Sequence, residues 1–236
     1  MDLTNKIEKM AKQHGVTYFG VASLSKAHDF ILEQGGPIVT EFPISISLGI
    51  TLPSAIVDQL PARSDRAVAL SYRHHAYDVI NQRLDSVVSL ISIFIQEKGY
   101  KVFPIPASFI VDDERLCGSF SHKLGAHLAG LGWIGKNCLI ITKRDGPRAR
   151  WATILTDAPL NIPDNMPAVE QCGNCSECVD ICPVRAFTGR PFNESESRET
   201  RYNAKKCNDY FKAMEKSGKP RVCGMCLYVC PYGRLN

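Results

Sequence analysis

The chain has 236 residues, 44% of them hydrophobic and 22% charged, and a formal net charge of +4. That is the makeup of an ordinary globular protein, and the mild positive charge permits an anionic partner without requiring one. Residues 1–8 hold no apolar h-region, and the longest apolar stretch, near 87–95, is broken by serines and too short to span a bilayer. The expectation is a cytoplasmic protein with no membrane segment.

In chain order, residues 3–13 predict a helix with Leu3, Ile7 and Met10 on one face, and 16–22 a strand. Ile44, Ile46, Leu48 and Ile50 alternate with Ser45, Ser47, Gly49 and Thr51, the period-2 pattern of a strand with one buried face. Residues 78–98 carry Ile80, Leu84, Val87, Val88, Ile91, Phe94 and Ile95 at helical spacing and meet a stop at Gly99. A strand over 100–103 runs into Pro104-Ile105-Pro106, a helix covers 119–131, and strands follow over 138–142 and 151–156. Helices and strands mixed in this way predict an α+β domain over 1–165. The segment 157–167 holds three prolines and reads as an extended connection to a second module, 166–236.

That module holds eight of the ten cysteines. They fall in two runs: Cys172-x2-Cys175-x2-Cys178-x3-Cys182-Pro183, and Cys207-x15-Cys223-x2-Cys226-x3-Cys230-Pro231. The C-x2-C-x2-C-x3-C-P spacing is that of bacterial ferredoxins, in which the fourth cysteine of a run ligates the other of two [4Fe–4S] clusters. It predicts one cluster on Cys172, Cys175, Cys178 and Cys230. The second falls on Cys182, Cys207, Cys223 and Cys226, with the distant Cys207 supplying the fourth thiolate. Paired four-cysteine zinc sites are the competing reading, but adjacent triplets ending in Cys-Pro are not a zinc pattern. Disulfides fit a cytoplasmic chain poorly. Cys138 reads as a small buried hydrophobe in a strand, and Cys117 as a free thiol.

The stretch Ala129-Gly130-Leu131-Gly132-Trp133-Ile134-Gly135-Lys136-Asn137 places three glycines in six residues at a helix end. It follows a helix and precedes a strand, so it is neither a dinucleotide fingerprint nor a Walker loop. Glycines here serve equally a helix cap with hairpin packing, or close backbone approach to a large ligand. A lysine-rich stretch near the C-terminus (Lys205, Lys206, Lys212, Lys216, Lys219, Arg221) is interleaved with acids and reads as a solvated face.

This block, with Leu155-Thr156-Asp157 and the two runs ending Cys182-Pro183 and Cys230-Pro231, resembles the epoxyqueuosine reductase family, which is related to the reductive dehalogenases. The resemblance implies a nitroreductase-like corrinoid-binding domain followed by the ferredoxin-like double-cluster module. It implies cobalamin held against Gly130, Gly132, Trp133, Gly135, Lys136 and Asn137, and a low-potential electron donor of ferredoxin or flavodoxin type. The chain stops after the last cluster ligand, where tRNA-modifying members continue into a helical-repeat tail. The segment 102–108 lacks those members' catalytic aspartate. Asp112, Asp113 and His122 are the substitute proton donors, against the alternative of a solvated loop. The expectation is a corrinoid-dependent reductase of unknown substrate, with a small molecule or a corrinoid protein as candidate partner and tRNA disfavoured. The alternatives are an activator of a partner corrinoid protein, or a tail-less epoxyqueuosine reductase.

Overall fold

The structure, a computed structural model, describes residues 2–164 and 167–234. The expected module boundary at 165/166 lies outside the described residues. Four strands form one antiparallel sheet: β1 (Tyr18–Ser23), β2 (Ile44–Thr51), β3 (Val102–Ile105) and β6 (Ala149–Thr156), in the order β1-β2-β6-β3. A hairpin of β4 (Trp133–Ile134) and β5 (Ile140–Ile141) stands apart from it.

Helices cover both faces of the sheet. On one side the Leu3–Gln13 and Ile80–Glu97 helices deliver Ile7, Ala11, Leu84, Val88, Ile91 and Ile95 onto Ile46, Leu48, Ala152 and Ile154. Val222, Met225 and Leu227 of the cysteine-rich segment enter the same core, so the two parts of the chain share one apolar interior. On the other side Leu24, Ile31, Val39, Phe120 and Leu124 pack against Ile105 and Leu155.

β2 departs from expectation, because both of its faces are buried. Its Ile/Ser alternation separates a large-residue face from a small-residue face, not core from solvent. Ser45 and Ser47 lie under the His122–Leu128 helix, where a Cβ on Gly125 would already press on Ser47 Oγ at 3.0 Å. Small groups on both elements let helix and sheet approach closely.

The long helix begins earlier than expected. Arg66–Arg73 runs through a π-turn, His74–Val79, into Ile80–Glu97. Such widened turns recur at functional sites; this one carries Tyr77 to the wall of a deep cavity. The 119–131 helix is shorter, His122–Leu128, because Ser121 caps it by accepting from the Leu124 N–H at 3.3 Å. The strand expected over 138–142 contracts to Ile140–Ile141. Cys138 is buried (3% exposed), but in the hairpin turn at a φ of 54° and not in a strand. The turn closes through Gly135 N–H to Leu139 O (2.9 Å), Cys138 N–H to Gly135 O (2.8 Å) and Leu139 N–H to Asn137 Oδ1 (3.1 Å). Among the described residues no helix is long and apolar enough to cross a membrane.

Candidate cluster sites and the adjoining cavity

The two cysteine sets expected from spacing come together in space. Cys172 and Cys175 flank a tight turn, with Cys175 N–H donating to Cys172 O at 2.8 Å, and Cys178 lies on the short Glu177–Asp180 helix that follows. Burial first, then the neighbouring Cys172, Cys230 and Cys175, pushes the Cys178 thiol up to about 12. Burial pushes Cys230 up to about 11, with Cys172 and Cys175 adding to it. These four are the first predicted set.

Cys207 projects from the Ala204–Lys216 helix, and Cys226 from the Met225–Tyr228 helix just after a left-handed Gly224. Burial raises the Cys226 thiol, and Cys223, Cys207, Cys178 and Cys182 raise it further. Burial raises Cys207 too, with Cys223 and Cys182 adding while a hydrogen bond from Tyr202 opposes. These four are the second set, and the Cys178 influence on Cys226 shows the sets adjoin.

Clustered, half-buried thiols that hold one another in the neutral form are the donor set a multinuclear cation would ionise. Among the described residues no three His, Cys, Asp or Glu side chains converge on a point that would chelate a single ion. A cubane takes one thiolate at each of four irons, so its ligands ring it without meeting at one centre. N–H donors already face the sulfurs: Ala186 N–H reaches Cys182 Sγ at 3.3 Å, and the Lys136 backbone N–H and Trp133 indole oppose the upward shift that burial imposes on Cys172. Trp133 is 2% exposed, and its Nε1 makes no hydrogen bond among the described residues. The residues present fit two clusters.

The glycine block proves to be a strap across both cysteine loops. Gly130 ends the His122–Leu128 helix at a φ of 71°; its N–H donates to His127 O (2.9 Å) and Leu131 N–H to Ala126 O (3.0 Å), a Schellman cap. β4 and β5 follow. Lys136 Nζ donates to Gly173 O (2.6 Å) and Cys175 O (3.0 Å), and Asn137 Nδ2 donates to Cys226 O (3.0 Å). Trp133 meets Tyr232 edge-on at 4.8 Å and packs with Cys230 and Cys172. A Cβ on Gly132 would collide with the Ile141 carbonyl, and one on Gly135 with Asn137 Oδ1. Helix capping and hairpin packing account for the three glycines, while Trp133, Lys136 and Asn137 contact the cysteine loops.

The deep cavity lies elsewhere: about 440 Å³ of accessible space within about 1500 Å³ of free volume counted to its open mouth. Residues 105–111 and 115–123, the β6 residues Ala149, Arg150 and Trp151, and Tyr77, Leu139, Ile140, Arg198 and Leu227 line it. None of Gly130, Gly132, Trp133, Gly135, Lys136 or Asn137 is among the lining residues. Phe109, Ile110 and Val111 stand exposed at its rim, Phe109 by 69%.

Of the expected proton donors, His122 lines the cavity, while Asp112 and Asp113 do not. Asp112 accepts from the Glu114 and Arg115 N–H groups (2.9 and 2.8 Å) in a local turn, and Asp113 is exposed, as a solvated loop requires. The His122 ring is partly exposed at the wall, yet desolvation dominates and lowers it to about 4. Its Nε2–H donates to Pro106 O (2.9 Å), and Nδ1 accepts from the Thr153 hydroxyl (2.8 Å). A neutral ring with both nitrogens engaged braces the wall. Tyr77, Lys123, Arg150 and Arg198 were missed from sequence because they are scattered along the chain. The apolar triplet Phe109-Ile110-Val111 inside a polar loop was the one local signal.

A family model described as a 4Fe-4S double cluster binding domain matches residues 171–233. The epoxyqueuosine reductase of Pseudomonas aeruginosa is 30% identical over 201 residues, 76% of this chain and 50% of that protein. The chain is a relative of the epoxyqueuosine reductases. The Aliivibrio fischeri epoxyqueuosine reductase is 25% identical across 99% of this chain and 67% of its own length. Among solved structures, an epoxyqueuosine reductase with a tRNA-Tyr epoxyqueuosine-modified stem loop aligns at a TM-score of 0.63 and 18% identity, covering 98% of this chain and 65% of that one. A catabolic reductive dehalogenase in complex with 3-bromo-4-hydroxybenzoic acid aligns at 0.69 and 17% identity, covering 97% and 31%. These structural likenesses establish a shared fold. The chain spans about half the length of several of the curated relatives it matches. The relatives' names run against the expectation that tRNA is disfavoured.

Proposed function

We propose that this chain is an iron–sulfur reductase in which two [4Fe–4S] clusters pass low-potential electrons to a corrinoid seated in the cavity. One cluster is assigned to Cys172, Cys175, Cys178 and Cys230, the other to Cys182, Cys207, Cys223 and Cys226. The observation that carries the reading is the shared wall between the second set and the cavity. Leu227, next to Cys226 in the chain, lines the cavity. Tyr72, which feels Cys226 and Cys223, meets the lining residue Tyr77 edge-on at 6.2 Å. Leu227, Tyr72 and Tyr77 are the side chains that would separate a cluster held there from a ligand in the cavity.

Cobalt would supply the bond-breaking electrons. The chain supplies the rest. Trp151 and Phe120 offer flat apolar walls, and the exposed Phe109, Ile110 and Val111 offer a rim for a large apolar ring to cover. Asp85 accepts from Ala107 N–H at 2.8 Å and His122 holds Pro106, so the wall loop is pinned at two adjacent residues. The nitroreductase-like description of 1–165 is supported by an antiparallel sheet with helices on both faces. An external donor of ferredoxin or flavodoxin type would load the clusters.

The relatives' names favour a second reading of the substrate, epoxyqueuosine in tRNA in place of a small molecule. Anaerobic titration of the reconstituted protein with cobalamin tests the cofactor: a stoichiometric complex with a base-off visible spectrum is expected, and no spectral change overturns it. Incubation of the reduced complex with epoxyqueuosine-containing tRNA then separates the substrates, since repeated turnover to queuosine selects the tRNA.

A further inference from the structure

We propose that the cavity takes a ligand bearing an anionic group, a carboxylate or a phosphate, seated against Lys123 and Arg198. This deepens the reading of the cavity as a cofactor and substrate site, and rests on it for what else the ligand carries.

The lining residues include four cations, Arg115, Lys123, Arg150 and Arg198, and no aspartate or glutamate. Two of the four are already answered from outside the cavity. Arg115 pairs with Glu199 (3.4 Å) and Glu33 (3.5 Å), and Arg198 pairs with Glu199 (2.8 Å) and donates to the Arg115 and Leu116 carbonyls. Arg150 holds Asn81 Oδ1 at 3.0 Å and lies over Tyr77 at 4.4 Å.

Lys123 has neither an ion pair nor a hydrogen bond among the described residues. Its charged neighbours are Arg198 and Arg201, and the remaining nearby groups are the Cys117 and Cys138 thiols. Burial and the two guanidinium groups push its ammonium below the usual lysine range. Arg201, behind it, is 3% exposed, with no carboxylate partner among the described residues. It lies over the Phe192 ring at 4.8 Å, its one polar contact a 3.8 Å approach to Cys138 Sγ, and its Nε is unpartnered.

Among the described residues Lys123, Arg198 and Arg201 therefore have one carboxylate between them, Glu199, which Arg198 shares with Arg115 and which is not paired with Lys123. Arg201 is buried and Lys123 and Arg198 are half-buried, and cations drawn out of water without counter-charge are costly and are normally paired. An anion entering from the cavity would meet Lys123 and Arg198 together and offset that cost, as charge-assisted hydrogen bonds do. The aromatic wall and apolar rim suit the rest of the ligand, so it is amphiphilic: a broad apolar body with an anionic end. The anion has two sources, the phosphodiester of a corrinoid's nucleotide tail or an acidic group of the substrate.

The test titrates inorganic phosphate and benzoate into the cluster-reconstituted protein by calorimetry, without corrinoid. Binding by the parent, weakened ~10-fold or more in Lys123→Met and retained in Lys123→Arg, is expected; the exposed Lys143→Met serves as control. Phosphate should also protect Lys123 of the unaltered protein from acetylation, a readout that needs no variant to fold. Comparing cobalamin with cobinamide, which lacks the phosphodiester, separates the sources. Weakening of cobalamin alone in Lys123→Met assigns the corrinoid tail; weakening of phosphate and benzoate with both corrinoids unaffected assigns the substrate. If neither anion binds the parent, or Lys123→Met changes no affinity and phosphate gives no protection, the proposal fails. If anions bind and no corrinoid does, the cofactor reading fails and the anion site stands.

Discussion

Asn137, at the tip of the β4–β5 hairpin, donates from Nδ2 to the carbonyl of Cys226 at 3.0 Å, while its Oδ1 accepts from Leu139 N–H. A single buried amide thus fixes the hairpin turn and one cysteine loop together. Asn137→Ala would leave the Cys226 carbonyl without that donor, a loss of ~1–3 kcal/mol for a buried polar group. The reconstituted variant should melt several degrees lower and lose iron faster under chelator than the parent. Equal rates would mean the strap is incidental to cluster retention.

Cys230 lies more than fifty residues from Cys172, Cys175 and Cys178, yet it adjoins them in the structure. Cys230→Ala should lower iron from ~eight toward ~four per chain and remove one of two reduced-cluster signals in electron paramagnetic resonance. Unchanged iron with both signals intact would show that the first cluster takes its fourth ligand elsewhere.

Gly132 has no room for a side chain, because a Cβ would strike the Ile141 backbone inside the hairpin. Gly132→Val should therefore destabilise the whole strap by ~3 kcal/mol or more and impair loading of both clusters along with any ligand binding. A variant that kept both clusters and its melting temperature but lost corrinoid would instead restore Gly132 to a ligand-facing role.

His122 is neutral in the fold, lowered to about 4 by burial, against ~6.5 in an unfolded chain. Between those values the unfolded state binds the extra proton, so stability is complete above pH ~6.5, falls as pH drops toward 4, and gains no further loss from this group below that. Denaturant midpoints across this window should drop less steeply in His122→Asn than in the parent. Parallel slopes would show that the ring titrates normally.

The double-cluster domain and the two cysteine sets that gather in the fold were legible in the sequence because iron–sulfur ligation is written in short local spacings: three cysteines with two residues between each and a Cys-Pro step. Cys207 was recoverable by counting, since each cubane needs four thiolates. The helices at 3–13 and 80–97 and the central strands were legible from periodicity. The Ile/Ser pattern of β2 was misread because alternation records two unlike faces, and only the Gly125 helix lying on Ser45 and Ser47 decides that both are buried. The glycine block was ambiguous for the same reason, since glycine serves a cap, a hairpin or a ligand equally; the carbonyls of Gly173, Cys175 and Cys226 that Lys136 and Asn137 hold come from 37 to 89 residues away. The cavity was invisible in the chain order. Tyr77, Lys123, Arg150 and Arg198 share a wall only because the π-turn, β6, the His122–Leu128 helix and the Arg198–Thr200 turn fold around one cavity, and long-range packing of this kind leaves no periodic trace in sequence.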